Sequence, residues 1–400
     1  MKTAHLAKFH VALLLETSRE VGRGLLRGIQ RYARLHGPWG LHIMPGDLVQ
    51  TLPTMRAWGG TGIIARIATP RIARAILKTG LPVIAGPLSA SQLAPSNPLS
   101  KLSEIRADGE AIGQMAAEHL LQRGLRHFAF VGGSRAANWV ERRQKSFCKT
   151  VEEEGFPCAV YPLPPRTQQD WGQEQKRLGR WLKSQPKPLG VMAALDARGR
   201  QVIEACMESG LQVPGEVAVI GVDNDELLCE LCDPSLSSVK LNAEKAGYEA
   251  AALLHQMMKG KKAKARCIPI EPTHVVARQS TEIVATGDEK IAAAVRFIQL
   301  GASRPLRVLD IAEHIGLSRR SLELRFRREL GYTVLQAIRR VQLDRVRAFL
   351  IETDLPIHQI AAQCGFASGN YLGKIFRREE GETPQHFRLR NASSQLPGSH

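Results

Sequence analysis

Short apolar runs alternate with amphipathic segments over the first 280 residues of the chain. The apolar runs are rich in Val, Ile, Leu and Ala, which is typical of strands buried on both faces. The segments between them repeat apolar positions three and four residues apart, as helices do. This alternation predicts parallel sheets joined by right-handed crossovers. The predicted strands are Phe9–Leu15, Gly62–Ala65, Pro82–Ala85, His127–Val131, Leu189–Ala194 and Val217–Val222, and the predicted helices are Glu20–Leu35, Arg71–Lys78, Glu110–Arg123, Trp139–Glu154, Gln173–Lys183 and Arg198–Ser209.

The number of strand–helix units and a change of pattern after Ile283 divide the chain. At least six units are too many for one small sheet, so we predict two doubly wound lobes. Every later periodic segment is helical, which predicts an all-α domain after a polar linker. The expected bounds are 1–284 for the two-lobed α/β domain (first lobe about 8–122 and 237–262, second lobe about 124–236 and 263–280), 285–290 for the linker and 291–392 for the all-α domain.

The last hundred residues contain an internal repeat with an offset of 50 residues. Ser318 corresponds to Ser368, and the Phe-Arg-Arg-Glu tail that begins at Phe326 recurs at Phe376. Each copy has the pattern of a short helix, a glycine turn, a serine N-cap and a second helix, which is the layout of a helix-turn-helix. Ordinary helical hairpins would not need to share the same cap, core spacing and tail. The repeat therefore predicts a DNA-binding domain.

The segment between the two copies predicts a helix of 19 residues, from 333 to 351. Such a helix is about 28 Å long and can hold two recognition helices about one DNA turn, roughly 34 Å, apart. In the second recognition helix we expect Tyr371 and Leu372 in the core. For any single arginine a solvated helix face stays an equal alternative to a DNA contact. The candidate DNA contacts on the outer faces are Ser318, Arg319, Arg320, Ser321 and Arg325 in the first copy and Ser368, Gly369, Asn370, Lys374 and Arg377 in the second.

Composition and charge narrow the class of protein. The chain has 400 residues, 44% of them hydrophobic, and no stretch approaches the eighteen apolar residues of a membrane-spanning helix. Seven cysteines without regular spacing argue against a secreted disulfide framework, so we expect a cytoplasmic protein. The net charge of +17 suggests a polyanionic partner such as DNA. Both parts of the chain are similarly basic, however, so bulk charge does not locate the site.

Polar side chains follow several of the predicted strands. Glu16 and Arg19 follow the first strand, and Asp196 and Asp223 follow two later ones. Parallel sheets open their ligand cleft at this edge. Carboxylates accept hydrogen bonds from sugar hydroxyls, guanidinium groups donate them, and Trp139 offers an aromatic face for stacking. Two alternatives stay open, namely that Asp196 caps the following helix and that Trp139 belongs to the core.

Two motifs raise the alternative of an enzyme. Gly22, Gly24 and Gly28 superficially resemble a dinucleotide fingerprint. They begin several residues after the strand, however, so we interpret them as helix-interior glycines that permit close packing. The pair Cys229-x2-Cys232 lacks a second pair at zinc spacing, and free cysteines are the expected reading. No nucleophile signature is present, so we predict no catalytic activity, no metal site and no cofactor.

The C-terminal repeat resembles the AraC/XylS family of transcription regulators. The resemblance covers about a hundred residues and rests on the run from Arg347 to Arg388, which includes Ile360-Ala-x2-Cys-Gly-Phe366 and Gly381-x-Thr-Pro384. This chain departs from the family's pattern at three positions. Leu372, Gly373 and Phe387 stand where the family usually has phenylalanine, serine and tyrosine.

The α/β part resembles the type I periplasmic-binding-protein-like sensor of LacI/GalR regulators. The motifs are Asp108-Gly-x3-Gly113-x3-Ala117-x-His119-Leu120-x3-Gly124 and Ile220-Gly-Val-Asp223-Asn224. The resemblance implies that Arg143, four residues before Phe147, and Asp223 bind a sugar.

The order of a sensor followed by an AraC-type domain is similar to the xylose operon regulators, and Leu195-Asp-Ala-Arg198 and Val222-Asp-Asn-Asp-Glu-Leu227 support this match. Glu16 stands where that family places an asparagine. The resemblance implies a transcription regulator or activator of carbohydrate utilisation genes, with operator DNA, a small xylose-like sugar, a second copy of the chain and RNA polymerase as partners. The alternatives are a solute-binding protein of sugar transport and a nucleotide-dependent enzyme.

Overall fold

The computed structural model describes residues 9–43, 59–133, 138–162, 171–261, 264–283, 288–301 and 306–391, and residues 285–287 of the predicted linker at 285–290 lie outside these residues. The strands are β1 Phe9–Leu14, β2 Trp39–Ile43, β3 Gly62–Ala65, β4 Val83–Ala85, β5 Ser103–Ala107, β6 His127–Val131, β7 Cys158–Val160, β8 Leu189–Ala193, β9 Val217–Asp223, β10 Ser237–Leu241, β11 Cys267–Ile270 and β12 Pro272–Val276. The helices are α1 Glu20–His36, α2 Pro70–Thr79, α3 Ala90–Leu93, α4 Gly109–Leu121, α5 Asn138–Glu153, α6 Trp171–Ser184, α7 Asp196–Glu208, α8 Glu226–Glu230, α9 Ala243–Met258, α10 Glu289–Gly301, α11 Val308–His314, α12 Arg319–Leu330, α13 Val334–Glu352, α14 Ile357–Gln363, α15 Gly369–Glu380 and α16 Pro384–Asn391.

The strands form two six-stranded sheets, one in each lobe. The order is β11-β5-β4-β3-β1-β2 in the first lobe and β12-β10-β9-β8-β6-β7 in the second. The paired strands are parallel, except that β12 runs antiparallel to β10. Helices cover both faces of each sheet, which buries its strands on both sides, as the continuous apolar runs predict. The predicted fold class, a two-lobed α/β domain with an all-α helix-turn-helix domain, is confirmed.

The chain crosses between the lobes three times, at 107–109, 241–243 and 270–272, and these crossings form the hinge. The expected lobe bounds differ from this path. Helix α4 packs in the core of the second lobe, β10 lies in the second sheet, and β11 lies in the first. The reason is that short strands next to the hinge lack a clear apolar run. In β11, for example, exposed and buried residues alternate, so its sequence gives no sign of which sheet it joins.

The glycines of α1 allow it to pack closely against α9. A Cβ atom on Gly24 would lie 2.8 Å from the Cβ of Ala243, and one on Gly28 would lie 1.9 Å from the carbonyl oxygen of Glu244. Only glycine leaves room for such an approach of two helix backbones. The prediction that these glycines serve helix packing is confirmed.

Two helix-turn-helix units share the connecting helix α13, which is 19 residues long as predicted. Val334 and Ile338 in its first half belong to the core of the first unit, and Val346 and Leu350 in its second half belong to the core of the second. The two units are therefore fixed to one rigid rod. One core prediction is wrong: Tyr371 is 43% exposed, and its hydroxyl accepts a hydrogen bond from a guanidinium nitrogen of α13.

Among the residues that the structure describes, none of the helices is long and apolar enough to cross a bilayer.

Candidate functional site

A buried ion pair lies at the carboxyl edge of the second sheet. Arg143 projects from α5, and Asp223 ends β9. The Nη2 atom of Arg143 lies 3.6 Å from Oδ1 of Asp223, and its Nη1 atom donates to the carbonyl oxygen of Ala194. The guanidinium carbon is 4.8 Å from the centre of the Trp139 ring, a cation–π distance. Trp139 therefore holds Arg143 in place while also packing on the core of the lobe.

Two polar atoms of this pair have no hydrogen-bond partner. Nε of Arg143 and Oδ1 of Asp223 are both buried and unsatisfied, and the 3.6 Å between the two side chains is too long for a hydrogen bond. Leaving a buried polar group unsatisfied costs about 1–3 kcal/mol. A donor and an acceptor left free side by side suit a ligand that carries hydroxyl groups, because each hydroxyl both donates and accepts.

The backbone at the end of β9 adopts left-handed conformations. Asp223 has a φ angle of 105° and Asn224 one of 51°. Non-glycine residues rarely adopt such values, and backbone strain of this kind concentrates at ligand-binding sites. Burial raises the pKa of the Asp223 carboxyl, whereas the neighbouring Arg143 guanidinium lowers it. Asp223 lines a cavity that is bordered by residues of both lobes.

Asp196 lies beside this pair but is bound by the protein itself. Its Oδ1 accepts from the Ser238 hydroxyl at 2.5 Å, and its Oδ2 accepts from the Asp225 amide at 2.7 Å. Burial raises the pKa of Asp196 well above its usual range, and the charge of Asp223 adds to this shift. The structure shows no cap bond from Asp196 to the start of α7. Its contacts instead hold the segment that follows Asp223.

The facing edge of the first lobe carries a second charged group. Glu16 forms ion pairs with Arg19, at 3.1 Å, and with Arg66. The positive charge of Arg19, like that of Arg143, lowers the pKa of Asp223 against the effect of burial. Arg66 directly follows β3 and was missed in the sequence. The criterion that found Glu16, a polar residue just after a strand, would also have found it.

Another ion pair joins the two lobes directly. Arg23 on α1 lies 2.7 Å from the Asp225 carboxylate of the second lobe. The amide of Asp225 is the one that donates to Asp196. Sequence reasoning missed this bridge because no local pattern relates residues 202 positions apart.

The predicted DNA-contacting residues of the first unit divide into two groups. Ser318 caps α12 by accepting from the amide of Ser321 at 3.2 Å, so the hydroxyl serves the helix. Arg319 and Arg320 are exposed, and Arg319 makes only a surface ion pair with Glu323. Arg325, by contrast, is tied to Asp288 at 2.5 Å and holds the helix to the start of the domain.

In the second unit, Ser368 again caps the helix by accepting from the Tyr371 amide at 3.1 Å. A Cβ on Gly369 would meet the backbone of His358 at 3.3 Å, so this glycine lets α15 approach α14. The remaining candidates, Asn370, Lys374 and Arg377, are exposed. Arg320 and Asn370, which correspond in the repeat, are therefore both exposed near the starts of their helices.

The cysteine pair that raised the alternative of a zinc site belongs to the core of the second lobe. Cys229 and Cys232 are buried and unbridged, and burial raises the pKa of the Cys232 thiol to about 11. In the described part of the chain, no three His, Cys, Asp or Glu side chains come together as a metal site would require.

Known proteins resemble this chain in both of its parts. Residues 117–281 match the periplasmic binding protein-like domain family, and residues 311–390 match a helix-turn-helix domain family. A xylose operon regulatory protein of Haemophilus influenzae is 32% identical over 386 residues, which are 95% of this chain and 98% of that protein. The protein of the same description from Escherichia coli is 30% identical over 97% of this chain and 99% of its own length. A solved xylose-binding transcription activator superposes with a TM-score of 0.60 at 29% identity, covering 96% of this chain and 98% of its own.

Proposed function

The chain belongs to the family of xylose operon regulatory proteins, and on that premise we propose that D-xylose, or a closely similar pentose, is the effector that binds between its two lobes. The family membership makes the chain a transcription regulator with a sugar-binding sensor and an AraC-type DNA-binding domain, and not an enzyme. The helix-turn-helix domain also disfavours the alternative of a transport solute-binding protein.

The unsatisfied pair in the cleft carries the proposal for the sugar. Asp223 accepts a hydrogen bond from one hydroxyl through Oδ1, and Arg143 donates from Nε to a neighbouring one, which satisfies both buried atoms. Trp139 holds the Arg143 guanidinium in place through the cation–π contact. From the other lobe, Glu16 and Arg19 reach the same sugar when the cleft closes.

Asp196 has a supporting part in this proposal. Because both of its carboxylate oxygens are bound within the protein, it positions the segment 223–225 and does not contact the sugar itself.

For DNA, the proposed contacts are exposed side chains of the two recognition helices: four of them lie in the first half of their helix, and Arg377 lies in the last turn of α15. Arginine near the start of a recognition helix reads guanine edges or phosphates. Arg319 and Arg320 serve the first major groove, and Asn370, Lys374 and Arg377 serve the next. Ser318 and Ser368 are the N-caps of α12 and α15, and Ser321 donates its amide to Ser318, while the other amides of each first turn favour phosphate. Arg325 is held by Asp288 and Gly369 is a packing residue, so neither is a primary contact.

Three further proposals follow from regulation of transcription. A homodimer would place four recognition helices on one operator, which raises both affinity and specificity. RNA polymerase is the partner through which an activator would act. The cytoplasm is the proposed compartment, because in bacteria it contains both the operator DNA and RNA polymerase.

Calorimetric titration of D-xylose into the full chain tests the sugar proposal. Arg143→Met and Asp223→Asn should each weaken binding at least roughly tenfold, because charged hydrogen bonds contribute about 1.5–3 kcal/mol each. Arg180→Met, at an exposed arginine of α6 in the same lobe, is the matched control and should leave affinity unchanged. If Arg143→Met or Asp223→Asn lowered thermal stability while leaving D-xylose affinity intact, the pair would be structural. If D-xylose produced no heat with the wild type, the effector would be wrong.

A further inference from the structure

The DNA-binding domain rests on the second lobe of the sensor. The Tyr332 hydroxyl donates to the carbonyl oxygen of Gln122, which follows α4. At the far end of the connecting helix α13, the Glu352 carboxylate lies 2.8 Å from Nζ of Lys240 on β10 and 3.6 Å from Nε2 of His274 on β12. Both ends of α13 are therefore anchored to the same lobe.

The hinge strands next to this contact are bonded to one another. The amide of Asn242 donates to the carbonyl oxygen of Glu271 at 2.9 Å, and the amide of Asp108 donates to the carbonyl oxygen of Ile270 at 3.0 Å. These two bonds link the three crossings, so a rotation of one lobe relative to the other acts on all three together.

The last helix of the DNA-binding domain, α16, bonds to two of these crossings. The Nδ2 atom of Asn242 donates to the carbonyl oxygen of Asn391 at 3.1 Å. The guanidinium of Arg390 lies 3.2 Å from the Glu271 carboxylate, which also receives Nζ of Lys245 from α9 of the first lobe at 3.1 Å. We call Asn242, Glu271, Arg390 and Asn391 the hinge clasp. Through it, the DNA-binding domain touches the segments that must turn when the cleft closes.

Open space lies beside the clasp on the side of the first lobe. A cavity of about 870 Å³ separates α1 from the end of α13 and from Asn391, and residues of both lobes and of the DNA-binding domain line it. The lobe-1 wall is formed by Glu20, Val21, Arg23, Gly24 and Arg27, and the DNA-domain wall by Ile351, Glu352 and Asn391. This space allows the first lobe to move without pushing directly on α13. The clasp is then the contact through which that movement reaches the DNA-binding domain.

The clasp is connected to the second recognition helix through a short path. Helix α16, which ends at Asn391, packs Phe387 against Phe376 of α15 with ring centroids 5.3 Å apart. A displacement of α16 therefore shifts or strains α15, which presents Asn370 and Lys374 to DNA.

We propose that the hinge clasp transmits cleft closure to the DNA-binding domain, with Asn242 and Arg390 as the positioning residues of this relay. The proposal rests on the proposed function, because it takes sugar binding as the event that closes the cleft. Coupling between two sites is reciprocal: the factor by which sugar changes DNA affinity equals the factor by which DNA changes sugar affinity. Asn242 and Asn391 line the same cavity as Asp223, but among the described residues no hydrogen bond or ion pair joins the clasp to Arg143, to Asp223 or to the exposed side chains of the recognition helices. Loss of the clasp should therefore change this factor and leave each separate affinity in place.

Asn242→Asp breaks the clasp with little other damage. The Asn242 side chain also caps α9 by accepting from the Lys245 amide at 3.3 Å, and an aspartate keeps this cap. It removes the donor to Asn391 and sets a carboxylate against that carbonyl oxygen. Asn97→Asp is the matched control: Asn97 is also an N-cap, and its Nδ2 also donates to a carbonyl oxygen, that of Ser91, but it lies in the first lobe far along the chain from the hinge.

The experiment measures the affinity of the full-length chain for a duplex selected from a randomised library, with and without saturating D-xylose. In Asn242→Asp, and more strongly with Arg390→Gln added, the ratio of the two dissociation constants should fall at least about fivefold toward one. The D-xylose affinity of the free protein should stay within about twofold of the wild type, and Asn97→Asp should behave as the wild type. A ratio that survives in the double variant would overturn the proposal.

Hydrogen exchange provides a readout that does not need the sugar. Binding of the selected duplex should change the exchange rates of the Asp108 and Asn242 amides in the wild type and not in the double variant. If D-xylose fails to bind while these amides still respond to DNA, the proposed effector is wrong and the clasp stands. If the amides of the wild type do not respond to DNA, the clasp is wrong whatever the effector.

Discussion

Replacement of Gly28 by alanine tests the close approach of α1 and α9 on which the first lobe depends. The added Cβ would lie 1.9 Å from the carbonyl oxygen of Glu244 and 2.6 Å from the amide nitrogen of Tyr248. An ordinary C···O contact is about 3.3 Å, so the first contact is short by about 1.4 Å. Both atoms belong to a helix backbone and cannot rotate away. The two helices must therefore separate, or α1 must bend.

The magnitude follows from two opposing effects. Overpacking of a well-packed region typically costs about 1–3 kcal/mol, and a clash with rigid backbone belongs at the upper end of that range. Alanine is better than glycine in a helix interior by about 1 kcal/mol, which offsets part of the cost. We therefore expect Gly28→Ala to lower the free energy of unfolding by about 2 kcal/mol. The melting temperature should fall by roughly 4–8 °C.

Gly373→Ala is the matched control, because Gly373 is also inside a helix but no neighbouring atom lies within 4 Å of its Cβ position. The same substitution should there stabilise the DNA-binding domain by up to about 1 kcal/mol. Urea unfolding and calorimetry of the full chain measure both variants. If Gly28→Ala were as stable as the wild type, the packing argument would be refuted.

Two further predictions concern pH and DNA. Burial and the charge of Lys240 lower the pKa of His274 to about 4. The pKa of histidine in the unfolded chain is about 6.5, so protonation favours the unfolded state. The contribution of His274 to the free energy of unfolding is therefore complete above pH 6.5 and is lost as the pH falls from about 6.5 toward 4. Between pH 7 and 4.5 the wild type should therefore lose about 2–3 kcal/mol more in urea unfolding than His274→Gln, and equal losses would contradict the shift. Arg320→Ala should weaken operator binding by about 1–3 kcal/mol and relax the preference at one base pair, if Arg320 reads a guanine. Arg328→Ala, at the opposite end of the same helix, should change affinity little at every sequence, and a uniform loss in both variants would assign Arg320 to phosphate contact.

Much of the fold could be predicted because local sequence encodes it. Buried strands such as β6 and β8 are continuous apolar runs, and the repeat from Ser318 to Thr383 carries its own caps and turns. The glycines of α1 were likewise understood as packing residues from their position within a helical pattern. The search for polar residues after predicted strands found Glu16 and Asp223, which the structure places at the carboxyl ends of β1 and β9, because parallel strands of one sheet end at one edge.

The relations between distant segments were decided only by the tertiary structure. The sequence does not show that β10 and β11 join opposite sheets, that Arg23 bridges to Asp225, or that Arg325 is held by Asp288. Nor does it show that Asn391 lies on the hinge. Each of these depends on which surfaces meet after the lobes and the DNA-binding domain have packed. Periodicity and capping depend on neighbours in the chain, whereas a contact between segments 37 to 202 residues apart depends on the whole fold that brings them together.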